Sequence, residues 1–194
     1  MRVRDATVAF FAAAAHLVAA AAMLLVLRHG LPPASGDARL EYMQLHRGLW
    51  TLGWMSWQLA AISLIAFYAV LALRFRGALS VAAMCLAAAG LSIDWVCETR
   101  YMLLTVDAEV DTLIGYAANG LYTIALALLV VAGFDELPRR ARVVAAPIVG
   151  SGLGLAVASL LGADKTAIAA SAILFPLLVV WLMMIGLWLR NERS

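Results

Sequence analysis

Apolar positions fall in six long blocks, roughly 6–27, 48–73, 77–98, 112–134, 143–162 and 167–189, separated by short stretches rich in Arg, Pro, Gly or acids. At 1.5 Å per residue each block can cross a hydrocarbon core of about 30 Å. A backbone inside lipid must satisfy its own hydrogen bonds, so segments of this length span only as helices. The pattern predicts an all-α polytopic membrane protein, a six-transmembrane-helix bundle forming a single domain over 1–194. The run after Met1-Arg2-Val3-Arg4 imitates a signal peptide but continues from Ala6 to Leu27, well past the apolar core of such a leader, and reads as a retained first helix.

The breaks between blocks refine the elements. Pro32-Pro33-Ala34-Ser35-Gly36 stops any helix, and Asp37 is placed to cap the next one. A second helix over 38–73 would be about 54 Å long, so its first two turns should stand outside the bilayer core or bend. Arg74-Phe75-Arg76 predicts a tight antiparallel turn into the third helix. An acidic loop follows, with Asp107, Glu109 and Asp111, and Asp111-Thr112 is read as the cap of the fourth helix. Pro138-Arg139-Arg140 marks that helix's far end, Pro176 should kink the sixth, and Trp188 suits an interfacial aromatic belt. Gly150 and Gly154 in the fifth have the spacing of close helix packing and offer a surface for an oligomer.

Composition excludes a water-soluble domain: the chain is 65% hydrophobic and 13% charged, with a mean hydropathy of +0.94. Six crossings put both ends on one face, and positive charge chooses it. Arg2, Arg4, Arg74, Arg76, Arg139, Arg140, Arg142, Arg190 and Arg193 fall on the side of the termini, against Arg28, Arg39, Arg47, Arg100 and Lys165 opposite. Both termini are therefore expected to be cytoplasmic, with the inner arginines touching anionic membrane lipid. Arg heavily outnumbers Lys, and Ala and Leu abound, as in high-GC bacterial genomes, which points to a multi-pass protein of the bacterial inner membrane. A net charge of +2, scattered along the chain, excludes nucleic acid as a partner. Cys85 and Cys97 lie about 18 Å apart on one predicted helix and cannot bridge each other there.

Candidate chemistry is concentrated in the middle helices. Asp94, Glu98 and Tyr101 recur at i, i+4 and i+7 on one helical face. The second helix carries Tyr42, His46, Trp50, Trp54, Trp57 and Gln58, and the fourth carries Asp111, Gly115, Asn119 and Tyr122 at similar spacings. Polar groups are costly in hydrocarbon, so these three stripes are expected to face one another across an outward-facing cavity between helices 2, 3 and 4. The competing arrangement leaves the charges in headgroups, the tryptophans in an interfacial belt and Asn119 in one interhelical hydrogen bond.

Such a cavity, with aromatic walls and an acidic mouth, would bind or transport a small amphipathic or lipid-like ligand. A membrane-embedded enzyme is the alternative, with His46, Asp94 and Glu98 as acid–base groups or metal ligands, although no ligand-spacing motif supports it. A structural or assembly subunit, whose stripes and Gly-rich helix meet another membrane protein, is the third. Haem is disfavoured: His16 lies deep in the first helix and His46 near the surface, so the two cannot clasp one iron, and His29 with His46 is a weak pair. His16 is expected to be a hydrogen-bonded core residue. The GxSG of intramembrane serine proteases is excluded, since Val149 stands where Gly is needed and all three histidines precede Ser151. Phosphate-loop, dinucleotide and zinc-finger patterns are absent.

Overall fold

The computed structural model describes residues 2–31, 36–104 and 108–191. The described residues are helical apart from short turns, and no strand occurs among them. In chain order the helices are α1 (Arg2–Leu25), α2 (Gly36–Leu45), α3 (Arg47–Phe75), α4 (Ala78–Met102), α5 (Ala108–Thr112), a π-turn segment (Leu113–Ala118), α6 (Asn119–Ala132), α7 (Arg139–Leu160) and α8 (Asp164–Asn191). A 3-10 turn, Leu27–Gly30, follows α1. Six helices are long and apolar enough to cross a membrane: α1, α3, α4, the α5–π–α6 run, α7 and α8.

These six close into a ring in sequence order. Each packs on its neighbour in the chain, α1 on α3, α3 on α4, α4 on α6, α6 on α7 and α7 on α8, and α8 returns to pack on α1. Consecutive helices usually pack on one another, but the α1–α8 contact is a tertiary choice. Small residues let the closing pair approach. The buried face of α1 is Ala6, Ala9, Ala12, Ala13, His16 and Ala19, and a Cβ on Gly186 of α8 would run into the Phe10 ring.

At one end, Arg74 of α3 reaches Glu136 after α6 at 3.1 Å and lies 4.3 Å over the ring of Trp188 in α8, while Arg142 of α7 covers Phe134 at 4.2 Å. At the opposite end, Leu27, Met43, Trp50, Trp54, Cys97, Tyr101 and Val110 form a second apolar cluster drawn from the 3-10 turn and α2 to α5.

Several boundaries differ from those the sequence predicts. The long second helix breaks at His46 (φ −110°, ψ 27°), so that α2 lies outside the spanning helix α3, as its excess length requires. Asp37 sits within the first turn of α2 and is not its cap. Asp111 does not begin the fourth spanning helix either; α5 starts at Ala108, and the Asp111 carboxylate is engaged by side chains from α2 and α4. The Pro32-Pro33 break, Asp107 and Arg193 lie outside the described residues. Within α7, Gly152 makes the close approach, against Thr123 of α6, whereas Gly150 and Gly154 have open space beside them.

Candidate functional site

Inside the ring is a cavity of about 210 Å³ to which all six spanning helices contribute. The α3 wall is Trp54, Trp57, Ala61, Leu64 and Tyr68; the α4 wall is Asp94, Glu98 and Tyr101. From the π-turn and α6 come Gly115, Asn119, Tyr122 and Thr123. His16 of α1, Ile148 and Leu155 of α7, and Ser171 and Phe175 of α8 complete it.

The cavity thus gathers Trp54, Trp57, Asp94, Glu98, Tyr101, Asn119 and Tyr122. Four other predicted lining residues serve elsewhere. Tyr42 donates from its hydroxyl to the Val26 carbonyl at 2.8 Å, tying α2 to the end of α1. His46 packs its ring on Tyr42, 4.6 Å between centroids, at the α2–α3 break. Trp50 is buried in the end cluster, its indole N–H donating to the Tyr101 carbonyl at 2.9 Å. Gln58 is half-buried, with its amide nitrogen unpartnered, and does not line the cavity. All four lie on the α2–α3 stripe, where the break at His46 and the turn of α3 direct successive positions to different neighbours.

His46 is not among the residues that line the cavity with Asp94 and Glu98. Among the described residues no group of three or more His, Cys, Asp or Glu is placed to hold a metal ion.

Asp94 and Glu98 are one turn apart on α4 and both line the cavity. Asp94 accepts a hydrogen bond from the Tyr122 hydroxyl at 3.2 Å. Glu98 is 2% exposed, and its Oε2 has no partner. Among the described residues no Lys or Arg lines the cavity. The indole nitrogens divide in the same sense: those of Trp50 and Trp181 donate to backbone carbonyls, whereas those of Trp54 and Trp57, both on the cavity wall, are buried and unpartnered. A buried polar atom left without a partner costs about 1–3 kcal/mol, and three such atoms border this one cavity.

Asn119 is held by the local backbone. The π-turn carries one residue too many for an α ladder, and the Asn119 side chain donates to the Ile114 carbonyl at 2.8 Å. Gly115, in the same turn, allows the Ser159 side chain to press against the backbone.

Above the acids, Tyr101 stacks on Trp54 (4.6 Å, 16°) and donates its hydroxyl to Asp111. Arg39 of α2 clasps the same carboxylate with two bonds, 2.7 and 2.9 Å, and its Nε donates to the Gly30 carbonyl at 3.1 Å. Burial works against the charge of Arg39, but the bond to Asp111 and that carboxylate's charge outweigh it and raise the guanidinium above its ordinary range. This clasp fastens α2 across the end of the bundle next to the cavity.

The sequence stripes do not include His16, Thr123, Ser171 or Phe175. His16 donates from Nδ1 to the Ala12 carbonyl at 2.8 Å, as a hydrogen-bonded interior residue, and it also lines the cavity. Its signal is the spacing of Ala6, Ala9, Ala12, His16 and Ala19 on one face, hidden in the sequence by alanines on the other faces. Ser171 and Phe175, at i and i+4 of α8, carry no comparable signal in a block apolar all round.

Fold and site together define a closed six-helix ring around a small cavity with an acidic, aromatic wall. No protein-family model, curated protein or solved structure matches the chain.

Proposed function

We propose that this chain is a multi-pass protein of the bacterial inner membrane, with both termini cytoplasmic, whose central cavity binds or carries a small amphipathic ligand. Membrane residence is supported by the six long apolar helices and by large apolar side chains such as Leu17, Val18, Leu52, Val81, Val131 and Val157 on the outer surface of the ring. The orientation is supported by the arginine excess at the end where Arg74, Arg139, Arg140, Arg142 and Arg190 lie. Membrane lipid is then the protein's immediate partner, and the α2 end with its Arg39–Asp111 clasp faces outward.

The ligand reading is carried by one observation: three buried polar atoms, on Trp54, Trp57 and Glu98, stand unpartnered around a shared cavity. A purely structural core would pair them or replace them with apolar groups. The volume fits a small occupant, since a cavity of about 150 Å³ holds one benzene ring.

The test uses benzyl alcohol as a neutral amphipathic probe, titrated into the detergent-purified full chain while tryptophan emission is followed. A saturable change is expected in the wild type and its loss in Ala61→Phe, which fills the cavity from α3. No saturable change, or one indifferent to Ala61→Phe in a variant that still elutes as a folded species, sinks the reading.

A further inference from the structure

The cavity wall also indicates the charge of its occupant. Glu98 is buried to 2% exposure with one carboxylate oxygen unpaired, and Asp94, one turn away, has only the Tyr122 hydroxyl at 3.2 Å. The other polar side chains lining the same cavity, besides the two indoles, are His16 from α1, Tyr68 from α3, Tyr101 from α4, Asn119, Tyr122 and Thr123 from α6, and Ser171 from α8. No guanidinium or ammonium is among them. The ion pairs Arg39–Asp111 and Arg74–Glu136 lie elsewhere. Two carboxylates on one helical face repel each other, and among the described residues the cavity lining sets one imidazole, His16, but no guanidinium or ammonium beside them.

The aromatic walls add a second, independent feature. Trp54 lies stacked on Tyr101, and Trp57 meets Phe175 nearly edge-on at 4.9 Å (64°), so aromatic rings border the same space as the acids. A carboxylate beside aromatic rings is the arrangement that binds an organic cation, through a charge-assisted hydrogen bond at one end and cation–π and apolar contact along the rest.

We propose that the occupant is a small organic ammonium ion with an apolar body, its nitrogen seated against Asp94 and Glu98 and its body between Trp54, Trp57 and Phe175. The unpartnered indole N–H groups of Trp54 and Trp57 then favour ligands that also carry an acceptor oxygen. This rests on the cavity reading and adds the charge of the ligand to it.

The experiment compares three probes of one shape in the purified full chain at about pH 7, where an alkylamine is protonated and a carboxylic acid ionised: benzylamine, benzyl alcohol and benzoate. Benzylamine is expected to bind roughly tenfold or more tighter than benzyl alcohol, in keeping with a charge-assisted bond, with benzoate weakest. In Glu98→Gln, checked by gel filtration and thermal melting, the amine-to-alcohol ratio should fall toward one. Alcohol binding as well as or better than amine in the wild type overturns the cation proposal and leaves the cavity reading standing. A ratio unchanged in Glu98→Gln and in Asp94→Asn also overturns it. Failure of all three probes overturns both. The wild-type comparison needs no variant, so misfolding of a substituted chain cannot hide the result.

Discussion

Arg39 shows how one side chain organises an end of the molecule. It is 5% exposed, pairs in a fork with Asp111, and shares that carboxylate with Tyr101, whose ring covers Trp54 at the cavity edge. Removing one partner of this partly buried pair leaves the other charge unpaired, at a cost of about 1–3 kcal/mol. Arg39→Ala should accordingly lower the thermal unfolding midpoint of the detergent-purified protein. Arg39→Lys should recover only part of the loss, because an ammonium cannot make the parallel two-bond contact. A midpoint unmoved by Arg39→Ala would show that the clasp contributes nothing. At Asp94 and Glu98, by contrast, a half-buried and a buried carboxyl border a cavity that, among the described residues, no Lys or Arg lines, which supports the ligand site proposed there.

Among the elements, the α5–π–α6 run is the one whose local geometry serves the site. Its extra residue breaks the i to i−4 ladder between Leu113 and Ala118, and the Asn119 side chain supplies a donor to the Ile114 carbonyl. The irregular turn lets Gly115 face Ser159 of α7 while Asn119 and Tyr122 face the cavity. Asn119→Ala is expected to cost about 1 kcal/mol and to speed hydrogen exchange of the amides from 113 to 118 more than those of the rest of α6. Equal exchange in the two segments would mean that the backbone holds the turn unaided. Helix existence in this region is legible from the apolar block, but the π-turn is not. No periodicity distinguishes it, and Asn119 reads equally well as an interhelical donor. The α2–α3 break is half legible: helix length requires it, yet nothing in Leu45-His46-Arg47 marks the residue at which the chain turns.

For the whole molecule, ring closure between α1 and α8 gives the cavity its sixth side. The contact has Gly186 at a close approach, where any Cβ would meet Phe10. Gly186→Leu should push the two helices apart and destabilise the protein by about 1–3 kcal/mol, read as a lower thermal midpoint. Since His16 and Ser171 line the cavity from these same two helices, the substitution should weaken benzyl alcohol binding as well. An unchanged midpoint would mean that the closing contact is not under packing constraint.

The sequence by itself determined the number of long apolar helices, the hairpin turn at Arg74–Arg76, and the shared face of Asp94, Glu98 and Tyr101, because apolar length and helical period are properties of single segments. It also singled out Trp54, Trp57, Asn119 and Tyr122, since a polar or amphipathic group deep in an apolar block is conspicuous. Tertiary structure alone decided that α8 returns to α1, that the cavity has six walls and not three, and that Tyr42, His46, Trp50 and Gln58 are not among its lining residues. Those are questions of which helix faces which, and an apolar helix surrounded by lipid and other helices has more than one face it can bury. The choice among them rests on small-residue contacts and shape, which no single segment carries.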